Sequence, residues 1–485
     1  MKIIKKIVPI IFIVIFAIVL SILFFFDGMD YHLKRNFLIP NIAILVFLII
    51  PLFSIYYFLL NRKDEIEDKK YKKSLILIST IMFLIEILLA YFMFFYTDWD
   101  VLAINEASNL FLKTNTLKSN YYLTLCPNNI FITLIYVILK NTPLLGKNYM
   151  FIIIFNCVLV SLSGVFTSLT VRNIFGNRKA IFSYVIIIPA ILLNPWFVIP
   201  YSDTFTILIP ILILYFYTKK NKKWYYFTII SLLSAFGYLI KPTTIIILLA
   251  ILIVEIFNIK EYKIKDILIA SSSIVLAVLL SYSVNLYAYE ILDFSKSIYA
   301  KPTNIYHFLA QGQNDYTSGA YSKQDVNETI SHDDNYNIEK FKARLLNRNF
   351  GETVTFFTKK TLLNFNDGSF TWGNEGVFFY KKIERNNIIS NYLANIYYKD
   401  GKYYDLFIQL CNCIWLLILF FCPYIVFCNK NKYNLVIMLS IIGITIFATI
   451  FEARTRYFYT YLPIFIVCAI SGITQLKEKL KTLKK

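Results

Sequence analysis

Two aspartates flank a tryptophan at the end of a long apolar run, in the stretch FFYTDWDVLAINEAS. A carboxylate beside a membrane cleft can take a proton from a hydroxyl group or bind a cation. An extended Asp98-Trp99-Asp100 segment would point both carboxylates to one side and leave the tryptophan to anchor at the membrane interface. A polar loop that starts at a span end explains the same residues without any chemistry. Asp203, in the motif PYSDT, also ends an apolar run, and this recurrence favours a functional cluster.

Cations also occur inside apolar sequence, where each would be costly if it stayed unpaired in hydrocarbon. The motif EARTRYFYTYLP opens with Glu452, Arg454 and Arg456. On a helix Glu452 and Arg456 would share a face and pair, whereas Arg454 would point elsewhere. Arginine forks bind phosphate oxygens in a bidentate manner, although an interfacial ion pair would have the same sequence. Lys241, in YLIKPTT, is alone in an apolar stretch and is expected to face an anion.

Further polar and aromatic residues lie outside the apolar runs. His307 and Asp325 belong to YHFLAQGQNDYTSGAYSKQD, and Trp372 belongs to NDGSFTWGNEG. Such stretches occur in sugar-binding loops and, more often, in ordinary turns. The sequence has no glycine-rich phosphate loop and only 3 histidines, without a metal-type spacing of histidine and cysteine. We therefore expect neither a metal site nor a cofactor.

Membrane spans are the elements that must position these residues. The chain is 58% hydrophobic, above the usual share in soluble domains. We predict an all-α, polytopic transmembrane helix bundle of about twelve spans. Glu86, in the middle of one run, is expected to face the bundle interior. The clearest runs, each long enough to cross a bilayer, are 7–26, 37–60, 75–95, 149–171 and 267–289.

The lysines indicate how the chain is oriented in the cell membrane. They form short clusters between apolar runs, which is the positive-inside pattern and not a nucleic-acid footprint. If the short run 131–140 does not cross, every cluster and both termini are cytoplasmic, and the acids and EARTRYF face outside. The predicted parts are an N-terminal transmembrane module at 1–289 with the first outer loop at 96–127, an extracytoplasmic region at 290–404, C-terminal transmembrane helices at 405–473 and a basic cytoplasmic tail at 474–485.

The motifs YYLTLCPNNI, IFGNRKA, PYSDT, IKPTT and EARTRYFYTYLP follow one another in an order that resembles the multi-pass glycosyltransferases of the GT-C superfamily. The resemblance covers most of the chain, and within that superfamily it points to large membrane proteins of Gram-positive bacteria in the clan of the protein O-mannosyltransferases and aminoarabinose transferases. It implies an inverting transferase that moves a sugar from a polyprenyl-phosphate donor to an acceptor outside the membrane. Such acceptors include surface glycans, teichoic acids, glycolipids and proteins.

The resemblance also implies roles for single residues. Asp100 matches the family's base, with Asp98 as the second choice, and Asp203 matches a second acidic position. Cys126 stands where relatives usually have a tyrosine, and Val101 where they often have another acid. The residues implied to hold the donor phosphate are Lys241, Arg454 and Arg456. The candidates for the acceptor or substrate loops are Asn128, Asn129, His307, Asp325 and Trp372.

Three other functions are compatible with the same spans. A transporter or flippase of lipid-linked oligosaccharides also needs charges inside a bundle, but no internal repeat is visible in the sequence. A polymerase of surface polysaccharides would share polyprenyl-linked substrates, and a structural membrane subunit would need none. The one-sided cluster of acids and the long outer region favour the transferase. Its expected partners are the donor lipid, the acceptor and the bilayer, without nucleic acid.

Overall fold

The computed structural model describes most of the chain. The described residues are 2–25, 65–142, 148–219, 224–365, 367–372, 379–382, 387–428 and 431–483, with single positions at 46, 49, 50, 52 and 54. Nearly all of the predicted span at 37–60 and the last two residues of the tail lie outside them.

The described chain is almost entirely α-helical, which confirms the all-α polytopic fold. Up to residue 291 the helices are α1 (Lys2–Phe25), α2 (Asp68–Phe92), α3 (Trp99–Thr114), α4 (Tyr121–Leu125), α5 (Ile130–Lys140), α6 (Tyr149–Phe175), α7 (Asn177–Ile187), α8 (Ser202–Phe205), α9 (Leu208–Tyr217), α10 (Trp224–Ile240), α11 (Ile246–Ile256) and α12 (Ile264–Ile291). They continue with α13 (Ile305–Gly312), α14 (Lys323–Ser331), α15 (Asp334–Leu346), α16 (Phe350–Phe365), α17 (Ile388–Tyr397), α18 (Tyr404–Phe421), α19 (Lys432–Ile450) and α20 (Arg456–Leu483).

Two short strand pairs join distant parts of the chain. The strand β1 (Phe95–Thr97) pairs antiparallel with β4 (Phe379–Lys382). The strand β2 (Leu117–Asn120) pairs in parallel with β3 (Phe294–Lys296). Both pairs therefore connect the segments on either side of α3 to the region after α12.

Seven described helices are long and apolar enough to cross a membrane, namely Ile3–Phe24, Asp68–Phe92, Tyr149–Phe175, Ile264–Ile291, Tyr404–Phe427, Lys432–Ile450 and Arg456–Leu480. Four shorter apolar helices accompany them, and two of these meet at Lys241, where extended backbone before Pro242 ends α10. The helix α5, of 11 residues, is only on the order of 16 Å long and is too short to cross the hydrocarbon core alone.

The last helix, α20, forms the centre of the bundle. In its most apolar stretch 94% of the residues are buried, against 11% in α12, which has the exposure expected of a lipid-facing span. The helices α6, α9, α18 and α19 pack around α20. At Gly472 a methyl group would overlap the carbonyl oxygen of Phe421, so only glycine permits this close approach.

Polar residues within the spans are directed inward. Glu86 on α2 is fully buried, and the hydroxyl of Ser161 on α6 donates a hydrogen bond to its carboxylate over 2.7 Å. The prediction that Glu86 faces the bundle interior is confirmed. A carboxyl group placed toward lipid would have no such donor.

The residues 305–365 belong to the region that the sequence predicts to be extracytoplasmic. They fold into four helices, α13 to α16, which we call the outer unit after that prediction. Its polar core centres on Asp325, which accepts hydrogen bonds from Arg344, Lys340 and Asn314. Burial opposes ionisation of Asp325, but the hydrogen bonds from Arg344 and Lys340 prevail and lower its pKa to about 2. A buried carboxylate paired in this way stabilises the packing of α14 against α15.

Candidate active site

Three buried charges from separate parts of the chain meet at the N-terminal end of the central helix. Asp203 lies on the short helix α8, Lys241 lies between α10 and α11, and Arg456 begins α20. The Lys241 ammonium donates to one Asp203 oxygen, and the other oxygen lies 3.6 Å from Arg456 Nε. The three residues are only 0%, 5% and 8% exposed respectively. Charges buried at this depth are tolerated where opposite charges compensate them.

A second ion pair lies directly before the central helix. Glu452 accepts a hydrogen bond from Arg454 Nε over 2.9 Å, and the Tyr457 hydroxyl donates to the same carboxylate over 3.2 Å. The predicted pairing of Glu452 with Arg456 on one helix face is wrong. The segment from Phe451 to Thr455 is not helical, so the spacing that would align the two residues does not apply.

The sequence suggested an extended Asp-Trp-Asp segment, but the structure has the start of a helix there. Asp98 caps the helix α3, and its carboxylate accepts a hydrogen bond from the backbone N–H of Trp99 over 2.8 Å. Trp99 has a φ of 52°, a left-handed conformation that costs a bulky residue on the order of 1–3 kcal/mol. Its ring lies 4.9 Å from the Arg456 guanidinium and 5.0 Å from the Tyr201 ring. The expected anchor at the membrane interface instead packs inside the cluster.

Asp100 is held by two tyrosines. One carboxylate oxygen accepts a hydrogen bond from the Tyr122 hydroxyl and the other from the Tyr201 hydroxyl, each over 2.9 Å. Asn129 donates to the Tyr122 hydroxyl over 2.6 Å, and Asn128 donates to Asn129 over 3.2 Å. Burial, followed by the nearby Asp100 charge, raises the pKa of Tyr122 well above its usual value, so this phenol remains a donor.

Tyr201 connects this carboxylate to the buried ion cluster. Its hydroxyl binds Asp100, while the centre of its ring lies 5.2 Å from the Arg456 guanidinium. The sequence alone did not indicate Tyr122 or Tyr201, although they belong to the motifs YYLTLCPNNI and PYSDT. Tyr201 precedes Asp203 by two positions and Tyr122 precedes Asn128 by six, so membership of these motifs was the available signal.

Three other predicted residues serve the packing of the outer region. His307 Nδ1 lies 2.7 Å from the Thr329 hydroxyl, and the Trp372 indole N–H donates to the Tyr397 carbonyl over 2.9 Å. Asp325 is the ion-paired centre of the outer unit. Burial lowers the pKa of His307, and the charge of Glu452 opposes this shift.

The outer unit holds the segment that carries Glu452 and Arg454. The bonds are from Ala453 N to Gly319 O over 2.7 Å, from Lys360 Nζ to Phe451 O over 2.7 Å, and from the Thr455 hydroxyl to Leu363 O over 2.6 Å. Burial lowers the pKa of Lys360 to about 7. These contacts fix a segment that is not helical between Phe451 and Thr455.

The arrangement combines a proton acceptor with a set of anion-binding cations. Asp100 is linked through Tyr201 to Arg456, and Lys241 and Arg454 are ion-paired beside that arginine in the sequence or in space. Among the described residues, no group of three or more histidine, cysteine or carboxylate side chains could hold a metal ion. The chemistry that fits these side chains is proton transfer next to a bound anion.

Comparison with known proteins gives one match. The family model of a conserved hypothetical integral membrane protein matches residues 1–476, and the chain belongs to that family. No curated protein matches the sequence. Family membership establishes an integral membrane protein, and the choice of chemistry depends on the site.

Proposed function

We propose that this member of the family is a glycosyltransferase of the cell membrane, which moves a sugar from a polyprenyl-phosphate donor to an acceptor outside the membrane. The observation that carries the proposal is the convergence of Asp100 with Lys241, Arg454 and Arg456, which are distant in sequence. Tyr201 contacts both the carboxylate and a guanidinium. A base beside an anion-binding cluster is what direct displacement at a sugar phosphate requires.

The cations bind the donor phosphate in this proposal. Arg454 is the best placed to exchange its partner, because its pair with Glu452 is less buried than the pair of Asp203 and Lys241. The central helix also begins at Arg456, and the positive end of a helix dipole favours an anion. As the bond from the sugar carbon to the phosphate oxygen breaks, negative charge grows on that oxygen, and the cations stabilise it.

Asp100 acts on the acceptor. An acceptor hydroxyl attacks the sugar carbon from the side opposite the phosphate, its proton passes to Asp100, and the bonding electrons leave with the polyprenyl phosphate. The configuration at the sugar carbon is therefore inverted. Tyr122 and Tyr201 each occupy one lone pair of the carboxylate and fix its direction, which leaves other lone pairs for the acceptor proton.

The test is sugar transfer in membranes that contain the protein. A panel of polyprenyl-phosphate sugars with a labelled sugar is incubated with membranes from cells with and without the gene, and the label in envelope glycans, glycolipids and proteins is measured. We expect transfer from at least one donor, with inverted configuration in the product. Equal labelling with and without the protein for every donor would refute the proposal.

A further inference from the structure

Tyr321 lies at the mouth of the charged cluster, on the loop 313–322 of the outer unit. Its side chain is 47% exposed, although the neighbouring Ala320 is fully buried. The guanidinium of Arg454 lies 5.7 Å from the centre of its ring. Burial raises the pKa of Tyr321, the charge of Arg454 opposes this shift, and the charges of Asp100 and Glu452 raise the pKa further.

The loop 313–322 holds this ring in a fixed position. Gly319 has a φ of 83°, its N–H donates to Asn314 O over 2.8 Å, and its carbonyl accepts a bond from Ala453 N over 2.7 Å. A methyl group at Gly319 would overlap the carbonyl oxygen of Gly312, so another residue would displace the loop. An aromatic ring that is half-exposed and pre-positioned gains contact area with a ligand at a small loss of conformational entropy.

We propose that Tyr321 forms the floor of a subsite for a sugar ring, between Asp100 and Arg454. The inference rests on the proposed function and names the chemical class that the mouth recognises. One face of a pyranose ring presents C–H groups, which pack on an aromatic face, while its edge presents hydroxyls. The carboxylates accept from these hydroxyls and the guanidinium donates to them, which matches the few placed polar groups of a small-molecule site.

The sugar ring could belong to the donor or to the acceptor, and affinities measured for each distinguish them. The wild type and variants are purified in lipid nanodiscs, and binding is measured for a panel of polyprenyl-phosphate sugars, for polyprenyl phosphate without sugar, and for oligosaccharides released from the cell envelope. Tyr321→Ala should weaken binding of one sugar-bearing class about tenfold and leave bare polyprenyl phosphate unchanged. Tyr321→Phe keeps the ring and should stay within about twofold of the wild type.

Tyr316→Ala is the matched control, because Tyr316 is on the same loop and 98% exposed. Equal affinities of Tyr321→Ala and Tyr316→Ala for every ligand would overturn the inference. So would a wild type that binds no sugar-bearing ligand more tightly than bare polyprenyl phosphate. Sugar binding that depends on Tyr321 without any transfer would support the subsite and contradict the proposed reaction, so the two failures are distinct.

Discussion

The substitution Asp100→Asn tests the proposed base with the smallest change of shape. It keeps the size of the side chain and removes its ability to accept a proton at neutral pH. The two tyrosine hydroxyls that donate to Asp100 remain, and one of them must turn to accept from the new amide. Replacing a charged hydrogen bond by a neutral one costs about 1–2 kcal/mol, which a folded membrane protein of this size can tolerate.

The expected catalytic effect is much larger than this loss of stability. Removal of a general base typically slows a reaction about a hundred- to ten-thousand-fold, which corresponds to about 3–5 kcal/mol in the barrier. The loss should fall on kcat, with little change in the donor KM, because the proposed role of Asp100 is to take the acceptor's proton and not to bind the donor phosphate. The assay is sugar transfer from a polyprenyl-phosphate donor, in membranes that contain equal amounts of each variant.

Asp98→Asn is the control within the same motif. Asp98 caps the helix α3 by accepting from the Trp99 N–H, and asparagine is an equally good cap, so this variant should transfer sugar at nearly the normal rate. Transfer by Asp100→Asn within about threefold of the wild type would refute the role of Asp100. A larger loss in Asp98→Asn than in Asp100→Asn would assign the base to Asp98.

Three further predictions concern the phosphate site, the outer unit and the topology. Arg454→Ala and Arg456→Ala should raise the donor KM, and the lysine variants should recover only part of it because the bidentate fork is lost; an unchanged donor KM in both would make these arginines structural. Burial lowers the pKa of Lys360 to about 7 in the folded protein, from an ordinary value of 10.5. Between these two pH values the folded state binds fewer protons than the unfolded state, so the free energy of unfolding should rise with pH. The thermal unfolding midpoint should therefore rise more from pH 7 to pH 9 in the wild type than in Lys360→Met. Equal rises in the two proteins would contradict a lowered pKa of Lys360. In a Cys126→Ser background, Tyr316→Cys should react with an impermeant thiol reagent on intact cells and Lys263→Cys only after permeabilisation, and the reverse pattern would invert the topology.

The sequence predicts the meeting of the charged motifs for a physical reason. Asp203, Lys241 and Arg456 each interrupt apolar sequence, and an isolated charge in hydrocarbon is costly enough that it must find a partner in the bundle. The structure places these three together. The same cost accounts for the inward direction of Glu86. Burial of charge is thus a constraint that can be derived without knowing how the helices pack.

The identity of each partner could not be predicted in the same way. The pairing expected for Glu452 assumed a helix that starts before residue 452, whereas α20 begins at Arg456. The backbone bonds that keep this segment irregular come from the outer unit, more than 90 residues away in sequence. Trp99, which has a left-handed backbone conformation, likewise contacts Asp98, Tyr201 and Arg456. Such contacts depend on tertiary packing and leave no local pattern.

The turn-rich motifs of the outer region illustrate a different limit. Asparagine, aspartate and aromatic residues favour turns and helix caps for the same reasons that they suit sugar binding, because both uses need short polar groups beside flat rings. His307, Asp325 and Trp372 were candidates on composition, and all three are buried with partners inside the protein. The exposed fraction of a side chain distinguishes a binding residue from a packing residue. By this criterion Tyr321, which is half-exposed in the same stretch, is the candidate for sugar binding.

The outer unit therefore has two separable effects on the proposed reaction. Through Gly319, Lys360 and Leu363 it fixes the backbone around Arg454, which would set the position of the donor phosphate. Through Tyr321 it presents a ring to whichever sugar enters the mouth. The start of the most buried helix would hold the phosphate, and the outer unit would place the sugar ring. Together they would fix the direction from which the acceptor hydroxyl, next to Asp100, attacks the sugar carbon. This division explains why a membrane enzyme of this design would need a folded outer unit and not a simple loop.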